Sequence, residues 1–99
     1  MSSVAVSSRP ALIELELPVA RADMRKSFRA DLKPFMKDGE ILRENLLHAK
    51  ATSSGAVVRF WVPTAVLETN QDYAVDLRSW NARGGLEEAE TYTFRTIAK

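Results

Sequence analysis

The chain has 99 residues and no cysteine; 45% of its residues are hydrophobic and 27% charged, and 14 Lys and Arg nearly cancel 13 Asp and Glu to leave a formal net charge of +1. These totals fit one ordinary globular domain that buries roughly two-thirds of its unfolded surface. Without cysteine there are no disulfides, thiolate metal sites or cysteine nucleophiles, and the balanced charge gives no electrostatic reason to expect nucleic acid or an acidic membrane as a partner.

No apolar run approaches the roughly 20 residues that span a bilayer, so no membrane insertion by this chain is expected. Met1 to Pro10 lacks a basic start followed by an apolar run, so it does not read as a signal peptide. If the domain is exported, its export signal is expected outside this chain. The first ten residues read as a flexible or edge-strand segment, and residues 11–99 as a single domain. Within the segment, Val4, Ala5 and Val6 form a short apolar stretch suited to adding to a sheet edge, in the same domain or a neighbour.

Further along, Ile13, Leu15 and Leu17 alternate with Glu14 and Glu16, the period-2 pattern of a strand with one wet face. Pro18 ends that strand or places it at an edge. Val19 to Lys26 is polar and reads as a connection. Phe28, Ala30 and Leu32 alternate with Arg29, Asp31 and Lys33 up to Pro34. The Asp38-Gly39 pair predicts a tight hairpin turn, because it tolerates positive φ. Ile41 and Leu42 open the next apolar segment, and Leu46 to Ala51 is expected to form another short strand.

A turn at Thr52-Ser53-Ser54-Gly55 leads to Ala56–Val62, with Val58, Phe60 and Val62 on one face and Val57, Arg59 and Trp61 on the other. Tyr73, Val75 and Leu77 then alternate with Ala74, Asp76 and Arg78. Arg83-Gly84-Gly85 is a turn, and Tyr92 and Phe94 alternate with Thr91, Thr93 and Arg95. Two stretches also admit a helix: Arg21–Leu32 as a basic amphipathic one, and Glu40–Leu47 through the spacing of Ile41, Leu42 and Leu46. Clean alternation favours a strand over Phe28–Lys33. About seven short strands with turns every 8–12 residues predict an all-β domain, an immunoglobulin-like antiparallel β-sandwich.

The sequence of punctuation carries a family resemblance. Val62-Pro63-Thr64-Ala65-Val66-Leu67 is followed by Asp72-Tyr73-Ala74-Val75-Asp76-Leu77, then Gly85-Leu86-Glu87-Glu88 and Tyr92-Thr93-Phe94-Arg95. Together with Leu12–Leu17, Phe28–Leu32 and Asp38-Gly39-Glu40, this resembles the Ig-like extracytoplasmic C-terminal domain of bacterial membrane-bound zinc-finger-type anti-sigma factors and related envelope proteins. Asn70-Gln71 stands where that family has Gly before Asp-Tyr. The resemblance implies a periplasmic or otherwise extracytoplasmic location. It also implies that sigma-factor binding, which belongs to the zinc-finger part, lies outside this chain. The Tyr73 segment has the form of a tyrosine corner, in which the phenol bonds back to nearby backbone.

No residue set points to catalysis, and no cofactor or metal is expected. His48 is the only histidine and sits between Leu47 and Ala49 without other nitrogen or sulfur ligands. Glu87, Glu88 and Glu90 read as a solvated hairpin rather than a paired-carboxylate or calcium site. Arg21, Arg25, Lys26 and Arg29 form a basic patch that Asp23 and Asp31 interrupt. Gly84-Gly85 alone is a turn and no phosphate cradle.

The expected partner surface comprises Val4, Ala5, Val6, Val57, Trp61 and Trp80, although tryptophans in such positions more often pack in or over the core. The expected function is a non-catalytic interaction or sensory module with a protein partner or self-association. One alternative is a structural subunit joined by edge-strand association through Val4–Val6. Another is a ligand-binding or enzymatic domain, which would need a polar pocket converging on His48 or the Glu87 cluster.

Overall fold

A computed structural model describes residues 2–7, 9–37, 39–88 and 90–98. The protein is all-β. Seven strands follow in chain order: β1 (Ser2–Val6), β2 (Leu12–Val19), β3 (Ser27–Pro34), β4 (Leu42–Thr52), β5 (Gly55–Pro63), β6 (Asp72–Ser79) and β7 (Glu90–Ala98). Single 3-10 turns occupy Arg21–Asp23 and Thr64–Val66. The strands form one curled sheet in the order β1-β7-β6-β3-β4-β5-β2.

The alternating patterns dictate what the curl encloses. Leu17 of β2 and Val58, Phe60 and Val62 of β5 belong to one buried cluster with Phe28, Ala30 and Leu32 of β3, Tyr73, Val75 and Leu77 of β6, and Phe94 of β7. Both ends of the sheet therefore turn the same face inward. Glu14 and Glu16 stay exposed, as their parity demands. Pro18 does not end its strand. It lies within β2, whose outer edge has no strand beside it, so the missing N–H costs no ladder bond.

The sheet is mixed, not antiparallel throughout. β1 runs parallel to β7, from Ser2↔Phe94 to Val6↔Ala98, while every other pair is antiparallel. A parallel pair needs a long crossover, which the whole intervening chain supplies here.

Glu40–Leu47 is not helical: the segments around Leu42 and Leu46 merge into one strand of 11 residues. Its first part pairs with β3, from Leu42↔Leu32 to His48↔Ser27, and its last part pairs with β5, from Ala49↔Val58 to Thr52↔Gly55. A bulge precedes the change of partner: the register with β3 shifts between Phe28 and Ala30, and Leu46 adopts φ 58°. Arg21–Leu32 begins with one 3-10 turn and continues as β3 rather than as a helix. Of the expected Asp38-Gly39 turn, Asp38 lies outside the described residues, and Gly39 takes φ 110°.

The approach to β6 is the most tightly bonded turn in the fold. The Tyr73 hydroxyl accepts a hydrogen bond from the Glu68 N–H at 2.8 Å. Thr96, fully buried on β7, accepts from the Gln71 N–H at 3.1 Å through Oγ1 and donates to the Glu68 carbonyl. Its backbone adds a bond in each direction, Asn70 N–H to Thr96 O at 2.8 Å and Thr96 N–H to Gln71 O at 2.9 Å. Asn70, at φ 58°, fills the left-handed position that Gly would otherwise hold, and Asn is among the few residues that tolerate it.

Removing the Thr96 hydroxyl while keeping its shape tests this anchor. Thr96→Val is expected to destabilise by about 2 kcal/mol, because a buried donor and acceptor lose their partner, and Thr96→Ser to recover part of that. Chemical denaturation measures both. Valine matching or exceeding the wild type would show that the hydroxyl does not hold the turn.

Candidate functional site

The curled sheet presents two outer faces of different chemistry. On the first, formed by β7, β6, β3 and the start of β4, register aligns Thr91, Asp76, Asp31 and Arg43 in one row. Asp31 and Asp76 face each other directly although both are acids and both are at least nine-tenths buried. Like charges in that relation repel, so each must be neutralised.

The neutralising groups are in place. Asp31 accepts from Arg29 Nε at 3.0 Å and from Arg43 Nε at 2.6 Å, and Arg43 also reaches Glu40 at 2.6 Å. Asp76 pairs with Lys33 Nζ at 2.8 Å and accepts from Thr91 Oγ1 at 2.8 Å. Asp72 is gripped by Arg95 at 2.7 and 3.2 Å. The charges on this face are largely satisfied by one another.

This network sets an acid limit. Burial alone would push the Asp76 carboxyl up, but bonds from Lys33 and Thr91 with the charges of Lys33 and Arg78 bring it below the ordinary 3.8. Asp72 is also lowered, chiefly by its hydrogen bond from Arg95. A folded-state pKa below the unfolded one means that the unfolded chain binds more protons in acid. The stabilisation is then present above the ordinary carboxylate range and is lost as pH falls through the lowered values. Acid titration by circular dichroism is expected to show stability lost as pH falls below the ordinary carboxylate range, with a shallower acid limb in Asp76→Asn. An unchanged limb in that variant would contradict the assignment.

The second outer face, on β2 and β5, is built differently. Register places Leu12 opposite Pro63, Glu14 opposite Trp61, Glu16 opposite Arg59 and Pro18 opposite Val57. Trp61 is 51% exposed and Leu12 63%. They are diagonal neighbours on adjacent strands, within reach of each other's side chains. Val57 is half-buried lower on the same face. Between them the Glu14–Arg59 pair, at 3.0 Å, crosses the strands, while Glu16 makes no ion pair among the described residues. On the other side of β5, the pairing with β4 stops at Val58, so β5 beyond it, including Trp61, lacks a β4 partner. Leu46, 65% exposed, marks where β4 turns away.

The residues expected to form a partner surface do not form one patch. Val57 and Trp61 share the outer face of β5. Val4, Ala5 and Val6 lie on β1 at the opposite end of the strand order, where Val6 is buried and Ala5 exposed. Trp80 follows β6, bridges to Leu86, and is half-buried. Its Nε1 is buried without a hydrogen-bond partner among the described residues. Leu12, by contrast, was not on the expected surface. Its parity with Glu14 and Glu16 is the signal that exposes it.

His48 is exposed on β4. Glu88 and Glu90 line a small polar recess of about 90 Å³ with Asp23. Among the described residues no group of three or more His, Cys, Asp or Glu is placed to hold a metal ion, and no helix is long and apolar enough to cross a membrane. No family model, curated protein or solved structure matches the chain. The functional reading therefore rests on the contrast between the two faces.

Proposed function

We propose that the chain is a non-catalytic interaction module, an immunoglobulin-like sandwich acting outside the bacterial cytoplasm, that docks a protein partner on the outer face of β2 and β5. The observation that carries this reading is Trp61, half-exposed beside Leu12 on a face that also carries the Glu14–Arg59 pair and Glu16, with Lys50 of β4 flanking it opposite Val57. Exposed indoles flanked by aliphatic groups dominate binding energetics where they occur. The complementary partner surface offers an apolar pocket for the indole and a cation opposite Glu16.

Two features support the sandwich reading. The curled sheet encloses one core shared by β2 and β5 with β3, β6 and β7, and β4 pairs with both β3 and β5. Tyr73, near the start of β6, bonds to backbone five residues upstream, as a tyrosine corner does. The extracytoplasmic location follows from the resemblance to anti-sigma-factor Ig-like domains.

Photo-crosslinking tests the docking face. With benzoylphenylalanine at position 61 of the full chain in its native cells, a discrete protein adduct is expected. Excess wild-type chain should compete it away and the Leu12→Arg chain should not. The same probe at position 78, on the charged face, should give no such adduct. Equal adducts from both positions, or none from position 61, would overturn the reading.

A further inference from the structure

β1 is the least secured element of the fold. It is one of the two edge strands and pairs only with β7, through five residues, against eight for β2 with β5. Among its side chains only Val6 is buried, and Val4 is partly so. Beneath it an apolar recess of about 380 Å³, bounded by Val4, Leu15, Leu17, Val75 and Phe94, runs on toward β2, so the seat is larger than the strand that fills it.

The connection from β1 to β2 carries few bonds among the described residues: Arg9 N–H donates to Ser7 Oγ at 3.2 Å, and Arg9 O accepts from Thr64 Oγ1 at 3.5 Å. Ala11 is tied down by two bonds with Thr64, at 3.0 Å and 2.9 Å. Upstream of it, Val6, Ser7 and Pro10 border a recess of about 490 Å³ against Thr64, Leu67 and Ala98. Pro10 restricts Arg9 to extended backbone, which favours a straightened connection over a tight one. Elements with few buried contacts and poorly packed hinges are the first to open.

From this we infer that β1 exchanges between two copies of the chain, each donating Ser2–Val6 to the β7 edge of the other. The occupant of that edge is fixed by the fold itself, since the strand that matches the register and places Val4 and Val6 inward is this chain's own β1. Reciprocal exchange remakes every β1–β7 pair and closes as a two-fold dimer, and β2 to β7 keep their own pairings. The closed monomer competes through the effective concentration of its own tethered strand, which for a short linker is millimolar. Exchange therefore grows in at high protein concentration. It does not depend on the Trp61 face.

The absence of cysteine makes the test clean. Ala5 and Ile97 are paired across β1 and β7, and both are exposed. Adjacent strands lie about 4.8 Å apart, within the Cα range a disulfide accepts. The Ala5→Cys/Ile97→Cys chain is oxidised at low micromolar and at millimolar concentration, then examined by non-reducing denaturing electrophoresis beside sedimentation velocity. The expected result is intrachain bridges in dilute protein and interchain dimers, dissolved by reductant, in concentrated protein. Each single variant should give little dimer, and Pro10→Gly should lower the dimer fraction. A chain that stays monomeric at millimolar concentration, or a dimer whose bridges all remain within chains, would overturn the inference.

Discussion

Tyr73→Ala is expected to abolish cooperative folding near physiological temperature. The ring is 4% exposed and stacks on Phe94, with centroids 5.5 Å apart and planes 22° from parallel. Truncating a buried aromatic costs about 3–5 kcal/mol. The variant also removes the acceptor of the Glu68 N–H, a hydrogen bond worth about 1 kcal/mol. Together these match much of the roughly 5–15 kcal/mol that stabilises a domain of this size. At about 4–8 °C per kcal/mol, differential scanning calorimetry should show the transition lowered by tens of degrees or lost. Tyr73→Phe keeps the stack and removes only the hydroxyl, so it should lose about 1 kcal/mol. A Tyr73→Ala melt within a few degrees of the wild type would contradict both the packing and the corner.

The second large effect lies in two neighbouring aromatics. Phe60 and Trp61 are adjacent on β5, and the pleat sends them to opposite sides. Phe60 is fully buried and Trp61 is 51% exposed. Phe60→Ala should cost about 3–5 kcal/mol. Trp61→Ala, though it removes the larger side chain, should cost only about 1 kcal/mol, in keeping with surface substitutions away from caps and special backbone. Urea titration of the two variants gives the comparison. Similar losses would mean that Trp61 serves the core, and the outer face would lose its functional reading.

Much of the layout is legible from alternation alone. The inward sets of β2, β3, β5, β6 and β7 follow from period-2 patterns bounded by proline and glycine, because a buried face admits only one register. The form of the Tyr73 corner is legible in the sequence, and the structure gives it a bond from the Glu68 N–H. Asn70 before β6 is explained by the left-handed backbone it adopts there.

The unread parts share a cause, which is dependence on contacts distant in sequence. β4 is obscured because its bulge at Leu46 breaks the period, and its two halves answer to different partner strands. The parallel pairing of β1 with β7 joins residues more than 90 positions apart, which no local pattern encodes. At the candidate site, the exposure of Trp61 was readable from its parity with Val57 and Arg59. The isolation of Trp80 was not, because it follows from a single bridge to Leu86 after β6 has ended.

The central claim is that Trp61 anchors a partner on the β2–β5 face without being needed for the fold. Its most direct test is the crosslinking yield from a benzoylphenylalanine placed at position 57, four residues along the same face, measured with and without Trp61→Ala. The account predicts a partner adduct that disappears in Trp61→Ala while the two chains melt within a few degrees of each other. An adduct of unchanged yield in the alanine variant would contradict it.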